Sequence, residues 1–235
     1  MNTLSEATEG SAIRVGDYLA RVTGAGRVSQ KDRTDNLARL FDIIGALTLL
    51  MLFAPLLGCI TLTYLCGGNS RILFAHKRIG RNGRSFPCLK FRTMVPDAED
   101  RLAHILASDE HRRAEWLADR KMRDDPRVTR IGRFLRKSSF DELPQLINVL
   151  RGEMSLVGPR PIVSGEIPLY GRHIGSYCDV RPGLSGLWQV SGRNDVSYRR
   201  RVAYDVCYAR SRSLGLYFSI LMRTPACLIL ARGCY

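Results

Sequence analysis

The sequence predicts a mainly α-helical, monotopic membrane protein with a small β-hairpin element. Three observations predict this fold class: a long uncharged segment with a proline near its middle, basic residues on both sides of that segment, and helix-type apolar spacing in much of the remaining chain. They divide the 235 residues into an N-terminal surface or flexible segment over 1–37, a re-entrant membrane helix (helix-break-helix) over 38–68, and a cytoplasmic domain over 69–235 that ends in interfacial amphipathic helices.

The membrane segment is the apolar stretch FDIIGALTLLMLFAPLLGCITLTYL, residues 41–65. After Asp42 it contains no charged residue, and it is long enough to cross a hydrocarbon core of ~30 Å as a helix. A signal peptide is not expected, because no small-residue cleavage motif follows the segment. A buried helix of a soluble core is the alternative, and the uniform apolarity favours the membrane.

Basic residues on both flanks favour a re-entrant path over a full span. The bases upstream are Arg27, Lys31, Arg33 and Arg39, and those downstream are Arg71, Lys77, Arg78, Arg81, Arg84, Lys90 and Arg92. Because the cytoplasmic flanks of membrane helices are enriched in Lys and Arg, a straight span would place one basic group on the wrong side. Pro55, preceded by Ala54, removes a helix hydrogen bond near the middle and supplies the break. A proline-kinked span is the alternative.

The overall charge limits the kind of partner. The chain has 36 Lys and Arg against 22 Asp and Glu, a formal net charge of +14, which suggests nucleic acid, an anionic membrane surface or a phosphorylated substrate. Nucleic acid is not expected, because the bases flank the apolar segment, where anionic headgroups account for them, and no nucleic-acid-binding pattern is present. The seven cysteines are scattered without a CxxC pair, so neither a disulfide framework nor a zinc site is expected.

Local signals place the remaining elements. The turn Arg81-Asn82-Gly83-Arg84 lies between two short β-like runs in residues 72–95, which predicts the hairpin. Periodic apolar residues and the order of charges predict helices over 97–107, 110–121, 129–136, 141–151 and 195–212. Residues 214–233 are apolar but interrupted by Arg223 and Pro225, which is typical of interfacial helices rather than of a span.

Two adjacent acids, Asp141 and Glu142, lie where the helix over 141–151 is predicted to begin, and Pro144 fits its first turn. Either they cap the helix and balance its dipole, or they hold Mg²⁺ or attack phosphorus at a phosphoryl-transfer site. Loops bounded by glycine and proline supply the cations that such a site needs, namely Lys90, Arg92, Arg160 and Arg193. The residues alone favour capping, and no Walker A, kinase, GxSxG or HExxH motif is present.

Four long segments resemble the bacterial sugar transferase family, the small monotopic phosphoglycosyl transferases. They are FDIIGALTLLMLFAPLL, RIGRNGRSFPCLKFRTM, DDPRVTRIGRFLRKSSFDELPQLINVLRGEMSLVGPRP and RPGLSGLWQVSGRNDVSYRRRVAYDVCY. They follow one another in the order found in the family, and the resemblance covers roughly residues 38–235. It is greatest for the undecaprenyl-phosphate galactose phosphotransferases that begin exopolysaccharide synthesis.

The resemblance implies an enzyme of the bacterial inner membrane whose catalytic domain lies on the cytoplasmic face. Its reaction would move hexose-1-phosphate, with galactose or glucose as the hexose, from a UDP-hexose to undecaprenyl phosphate and release UMP. The implied route passes through a covalent aspartyl intermediate and uses Mg²⁺. The implied partners are UDP-hexose, undecaprenyl phosphate and inner-membrane lipid, while the identity of the sugar and a homo-oligomeric state stay open.

The matching motifs also imply roles for single residues. Asp141 would be the nucleophile and Glu142 its partner in metal or proton handling, and both would hold Mg²⁺. The residues implied to hold diphosphate or lipid phosphate are Lys90, Arg92, Arg160 and Arg193. Gln189 and Trp188 would shape the nucleotide-sugar pocket or face the membrane.

One departure from the family concerns the membrane break. The family often has Ser-Pro there, and the serine hydroxyl can satisfy a backbone group that proline leaves free. This sequence has Ala54-Pro55, so either Thr48 or a neighbouring helix compensates, or the break is less sharp than in the family.

Overall fold

The computed structural model describes residues 30–67, 71–119, 122, 124–192 and 196–229. Within them the protein is mostly helical, with one two-stranded antiparallel sheet and one short parallel strand pair. This confirms the predicted mainly α class with a small hairpin. Residues 1–29 of the segment 1–37 that was predicted to be flexible or on the surface lie outside the described residues, as does Arg193. Residues 30–37 of that segment are helical.

Helix α1 spans Gln30–Cys66 and contains the predicted membrane segment, beginning ahead of the predicted start at residue 38. The most apolar 18-residue window of its stretch Thr34–Cys66 has a mean hydropathy of 2.4, and α1 is the one helix in the described part of the chain that is long and apolar enough to cross a membrane. Only 11% of its most apolar window is buried, so most of this apolar surface is left uncovered by the rest of the protein.

Pro55 lies inside α1, and the helix is continuous on both sides of it. The Thr48 hydroxyl donates to the Ile44 carbonyl at 2.9 Å, so it does not satisfy the Met51 carbonyl, which loses its amide donor at Pro55. Compensation by Thr48 is therefore wrong, and the re-entrant path with a break at Ala54-Pro55 stays a prediction.

Strands β1 (Leu73–Ile79) and β2 (Ser85–Phe91) form the predicted antiparallel hairpin. Their connection contains a 3₁₀ turn, Arg81–Gly83, within the segment that predicted it. Asn82 and Gly83 have φ values of 57° and 70°, a left-handed conformation that asparagine and glycine tolerate better than other residues.

Three helices that follow the hairpin were all predicted to within a few residues. They are α2 (Ala98–Ser108), α3 (Glu110–Asp119) and α4 (Arg130–Ser138). The Thr129 hydroxyl caps α4 by accepting a hydrogen bond from the Gly132 amide at 3.0 Å. Basic residues Arg136 and Lys137 lie in the last turn of α4, where the helix dipole favours them.

The second half of the domain consists of short elements followed by two longer helices. These are α5 (Gln145–Arg151), β3 (Ser155–Val157), α6 (Ile167–Tyr170), α7 (Ile174–Cys178), β4 (Gly183–Ser185), α8 (Leu187–Ser191), α9 (Tyr198–Ser211) and α10 (Leu214–Ile229). Strands β3 and β4 pair in parallel, and the sequence did not predict them because three residues are too few to show a period.

Apolar packing holds α1 against this domain at two places. Ala46 lies in a core cluster with residues of α5, β3 and α10. Ile60 and Tyr64 lie in a second cluster with Phe91 and Leu135. Both halves of α1 therefore contact the same domain.

Hydrogen bonds reinforce both contacts. In the first half of α1, Arg39 donates to the carbonyls of Val149 at 2.5 Å and Leu150 at 2.9 Å, at the C-terminal end of α5. In the second half, the Tyr64 hydroxyl donates to the carbonyl of Arg92. Charged and polar side chains thus connect the two halves of the membrane segment to the domain.

Asp42 makes the most buried of these connections, with 2% of its surface exposed. Its Oδ1 accepts from the Ser155 hydroxyl at 2.9 Å, the Leu156 amide at 2.8 Å and the Tyr217 hydroxyl at 2.8 Å. One carboxylate oxygen therefore joins α1 to both β3 and α10.

We expect Asp42→Ala to lower the free energy of unfolding by about 3 kcal/mol, because it leaves three buried donors without an acceptor. Chemical denaturation of the detergent-solubilised protein measures the change. The matched control is Asp100→Ala, which removes an exposed carboxylate from α2. Equal stability of the two variants would contradict the assigned role of Asp42.

Candidate active site

Asp141 and Glu142 lie in a 3₁₀ turn, Phe140–Glu142, between α4 and α5. The chain enters this turn through Ser139, whose φ of 59° is uncommon for a residue other than glycine. Pro144 occupies the N-cap position of α5, and no side chain caps that helix. The predicted helix start at residue 141 and the capping interpretation are therefore wrong, because the acids form a separate turn ahead of the helix.

An ion pair between β2 and this turn forms one wall of a polar cleft. Lys90 Nζ donates to Glu142 Oε1 at 2.5 Å. The cleft contains about 320 Å³ of empty space when the adjoining open solvent is included, and its lining residues are Arg78, Cys88, Lys90, Glu142, Gln145, Arg160, Pro161, Gly183, Leu184 and Gln189. The predicted site residues that the structure brings to this cleft are Lys90, Glu142, Arg160 and Gln189.

Two arginines that line the cleft differ in how they are held. Arg78 donates to the Pro161 carbonyl at 3.0 Å and lies 3.9 Å from a carboxylate oxygen of Glu166. Arg160 makes no hydrogen bond or ion pair within the part of the chain that the structure describes. The guanidinium of Arg160 is therefore available to an anionic ligand.

Close backbone packing fixes the loop that carries Arg160. A Cβ atom on Gly183 would lie 2.0 Å from the amide nitrogen of Gly158, and one on Gly158 would lie 2.3 Å from the Arg181 carbonyl oxygen. Only glycine permits so close an approach of two backbones. The Gly158 amide donates to the Ser185 carbonyl at 2.8 Å, which holds the Gly-Pro-Arg-Pro loop against β4.

The two adjacent carboxylates have pKa values that are shifted in opposite directions. Burial and the negative charge of Glu142 raise the pKa of Asp141 to about 6. Burial alone would also raise the pKa of Glu142, but the positive charges of Lys90 and Arg160 hold it below its ordinary value. Neighbouring acids with opposite shifts are a common feature of sites in which two carboxylates have different roles.

Arg136 is a second cation near Asp141 that the sequence did not single out. Its Nε donates to the Thr93 hydroxyl at 2.9 Å, and its charge partly opposes the rise in the pKa of Asp141. Its position in the last turn of α4, just ahead of the acids, was a signal that could have revealed it. Arg78 and Gln145 of the cleft were also not predicted; Arg78 could have been found from strand alternation in β1.

Among the described residues, the cleft lining does not include Asp141, Arg92 or Trp188, all of which were predicted at the site. Asp141 lies next to Glu142 in the 3₁₀ turn. Arg92 donates through Nε to the Arg71 carbonyl at 3.1 Å, and its guanidinium lies 5.7 Å from the centre of the Phe74 ring. Trp188 is 3% exposed beneath Arg201, so it does not face the membrane. Arg193 lies outside the described residues.

The carboxylates of Asp141 and Glu142 are the side chains of the site that could bind Mg²⁺. In the described residues, no group of three or more His, Cys, Asp or Glu side chains could hold a metal ion. Mg²⁺ in proteins commonly keeps several waters and takes one or two carboxylates together with substrate phosphates. Asp141 and Glu142 fit a Mg²⁺ that arrives with a diphosphate, and they do not fit a cage made of protein ligands alone.

An apolar groove lies on the other side of the hairpin from the polar cleft. It contains about 990 Å³ of empty space when the adjoining open solvent is included, and it is lined by Leu50, Leu57, Thr61, Arg71, Ile72, Leu73, Phe91, Pro144 and Ile147. Leu73 and Phe91 are paired across the hairpin, and they alternate with the residues that face the cleft. Pro144 connects the groove to the turn that carries the two acids.

Comparison with known proteins gives consistent matches. The family described as bacterial sugar transferase matches residues 33–231. The exopolysaccharide production protein ExoY of Rhizobium meliloti is 47% identical over 197 residues, which cover 84% of this chain and 87% of that protein. The UDP-glucose:undecaprenyl-phosphate glucose-1-phosphate transferase of Caulobacter vibrioides is 36% identical over 242 residues, covering 99% of this chain and 80% of that protein.

A third relative is longer than this chain. The UDP-galactose-lipid carrier transferase of Erwinia amylovora is 47% identical over 199 residues, which cover 85% of this chain. The match spans only 42% of the length of the Erwinia protein.

Proposed function

The chain belongs to the bacterial sugar transferase family, and from this membership and the polar cleft we propose that it transfers hexose-1-phosphate from a UDP-hexose to undecaprenyl phosphate and releases UMP. Relatives named for galactose transfer to a lipid carrier and for glucose-1-phosphate transfer to undecaprenyl phosphate support the substrate classes. A relative named for exopolysaccharide production supports a role in starting such a polymer. The observation that carries the proposal is a cleft lined by Glu142 and three cationic side chains, with Asp141 next to Glu142 in a turn that packs against the long apolar helix.

In the first step, a carboxylate oxygen of Asp141 attacks the phosphorus that bears the hexose. The bond from this phosphorus to the bridging oxygen breaks, and UMP leaves with that oxygen and its electron pair. The product is an acyl phosphate, in which the hexose-1-phosphoryl group is joined to a carboxylate oxygen of Asp141. Asp141 suits this role because it makes no ion pair in the described residues, and a covalent intermediate divides one difficult displacement into two easier ones.

In the second step, a phosphate oxygen of undecaprenyl phosphate attacks the same phosphorus. The bond to Asp141 breaks, the carboxylate is regenerated, and the hexose remains on a lipid-linked diphosphate. The acceptor needs no deprotonation by the protein once its phosphate is ionised.

The cations of the cleft would stabilise the phosphate charge in both steps. Arg160 is free to form direct charge-assisted hydrogen bonds, since it has no partner in the described part of the protein. Lys90 would exchange some of its interaction with Glu142 for a phosphate oxygen. Arg78 is held by Pro161 and Glu166, so it would act mainly through its charge.

Mg²⁺, which is part of the proposal, would be held by Asp141 and Glu142 together with the diphosphate. When bound, it would neutralise charge on the diphosphate and on the departing UMP. The protein itself would orient the donor through Arg160 and hold Glu142 ionised through Lys90.

The apolar groove supports binding of the lipid acceptor. An isoprenoid chain is wholly apolar, and the groove lies between α1, the hairpin and the turn-proximal Pro144. Arg71 at the groove is placed to attract the phosphate headgroup. We propose that the acceptor lies with its chain in this groove and its phosphate directed to Asp141.

The contacts of α1 argue against a full span, and they support the proposal that the protein enters the bacterial inner membrane from one side, with the domain on the cytoplasmic face. Asp42 in the first half of α1 and Tyr64 near its end both bond to the same domain. A full span would separate the two ends by a hydrocarbon core of ~30 Å, so both could not contact one cytoplasmic domain. Basic residues on both flanks favour the cytoplasm on each side.

Asp141→Asn is expected to lower UMP release by at least about 1,000-fold, because the amide is a poor nucleophile and its loss affects both steps. UMP formation from UDP-hexose is followed with and without undecaprenyl phosphate. Intact mass spectrometry of the wild type without acceptor should show a hexose-phosphate adduct. Asp124→Asn, which changes an exposed turn acid, is the control. Normal turnover by Asp141→Asn would disprove the nucleophile assignment.

The pKa of Asp141 predicts the acid side of the pH profile. Because burial and Glu142 raise this pKa to about 6, the ionised nucleophile is lost as the pH falls through 6, and the rate of UMP release should fall about tenfold per unit below that. The acceptor-free first step is measured, since the lipid phosphate also titrates in this range.

Glu142→Gln tests the cause of this pKa. The variant removes a neighbouring negative charge and frees Lys90, and both changes favour ionised Asp141. The acid limb of the residual activity should therefore move to lower pH. A limb that stays in place would show that Asp141 does not control it.

Cysteine accessibility tests the topology. In a background without other cysteines, one protein carries Asn36→Cys and another retains the native Cys66; both positions are exposed. A membrane-impermeant maleimide should label both in inverted inner-membrane vesicles and neither in spheroplasts. Labelling of one position in spheroplasts would indicate a full span.

A further inference from the structure

His76 lies on the face of the hairpin that borders the polar cleft. It is paired directly with Cys88 of β2, and side chains at directly paired positions lie on the same face of an antiparallel sheet. Cys88 lines the cleft, as does Arg78, which follows His76 on the same face of β1. The register therefore places the imidazole at the rim of the cleft.

The hydrogen-bonding capacity of His76 is unused. It is partly exposed, its ring contacts the Phe74 ring at 5.9 Å, and it makes no hydrogen bond or ion pair in the described residues. Of the neighbouring polar side chains on this face, Arg78 bonds to Pro161 and Lys90 bonds to Glu142. The imidazole is thus a polar group at the cleft that has no structural bond to maintain.

The surroundings favour a neutral imidazole. Partial burial and the positive charges of Arg78 and Lys90 lower the pKa of His76 below its ordinary value, with a smaller opposing effect of Glu166. A neutral imidazole has one N–H donor and one acceptor nitrogen. A phosphate oxygen can use only the donor, and the cleft already supplies cations for phosphate. An alcohol hydroxyl can donate and accept, so it matches the neutral ring better.

The two substrates of the proposed reaction differ in whether they carry an alcohol group for the neutral imidazole to bind. Undecaprenyl phosphate has an apolar chain and a phosphate but no alcohol group. The donor has hydroxyl groups on its hexose and on its ribose. The hexose is attached to the phosphorus that Asp141 would attack, so it lies closer than the ribose to the cations that flank His76.

We infer that His76 is a donor-recognition residue whose imidazole hydrogen-bonds a hydroxyl of the hexose in the UDP-hexose. The inference rests on the proposed function and adds a specificity residue to it. Since the hydroxyls of a hexose differ between epimers only in direction, a ligand of one hydroxyl at the rim would contribute to the choice of sugar.

The test is a double-mutant cycle between His76 and each hydroxyl. The kcat/KM of UMP release is measured for the wild type and His76→Ala with the preferred UDP-hexose and with analogues that lack the hydroxyl at C2, C3, C4 or C6. We expect His76→Ala to lower kcat/KM about tenfold with the parent donor, the effect of one hydrogen bond. One analogue should be turned over equally by both proteins, because the partner of His76 is already missing.

Two further variants control for indirect effects. Lys77→Ala changes an exposed side chain of the same strand on its other face and should leave every ratio unchanged. His76→Gln retains one donor and one acceptor and should recover part of the loss. Inhibition by UMP, which has the ribose but no hexose, should be the same in the wild type and in His76→Ala.

The outcomes are distinct. Equal effects of His76→Ala on all donors, or weaker inhibition by UMP, would overturn the inference while the proposed function stands. If the wild type releases no UMP from any UDP-hexose, the proposed function is wrong and the inference falls with it. Coupling to a single hydroxyl together with unchanged UMP inhibition establishes the recognition role.

Discussion

The ion pair between Lys90 and Glu142 is the interaction on which the cleft depends. It joins the hairpin to the 3₁₀ turn, and Lys90 contributes more than Arg160 or Arg78 to holding the pKa of Glu142 below its ordinary value. The ion pair also affects Asp141. It keeps Glu142 negatively charged, and that charge raises the pKa of the adjacent Asp141. The same pair therefore keeps one carboxylate charged as a fixed anion and leaves its neighbour as the more basic, more nucleophilic one.

Helix α1 is hydrogen-bonded to elements that form the cleft. Arg39 bonds to the last carbonyls of α5, the helix that follows the two acids, while Asp42 bonds to β3, which leads into the Arg160 loop. Nine large apolar side chains of α1 are exposed, among them Met51 at 80% and Leu52 at 67%. Lipid around such a surface would position α1, and the bonds of Arg39 and Asp42 would transmit that position to both walls of the cleft.

The sequence alone predicts elements that are specified by neighbouring residues, and it does not predict contacts between segments that are far apart in the chain. The turn at Asn82-Gly83 and the periodic helices are encoded by neighbouring residues, and they were found. Arg92 was predicted beside Lys90 at the phosphate site, but it does not line the cleft. Strand β2 ends at Phe91, so the alternation of faces that directs Lys90 into the cleft does not extend to Arg92. The residues around the two acids favour capping because nothing local shows that Pro144 holds the N-cap position. The position of His76 depends on its pairing with Cys88, and the parallel pair of β3 and β4 depends on glycine contacts far apart in the chain.

The hairpin separates two environments that the proposed reaction has to bring together. One of its faces borders a polar cleft suited to a water-soluble donor, and the other borders an apolar groove suited to a lipid. Two substrates from different phases need not be bound at the same time if the sugar phosphate is first transferred to the protein. Asp141 lies in the turn just ahead of Pro144, which borders the groove, and next to Glu142, which lines the cleft. A covalent intermediate at this residue would therefore be accessible first from the water side and then from the membrane side, which gives the nucleophile a physical reason to lie between the two.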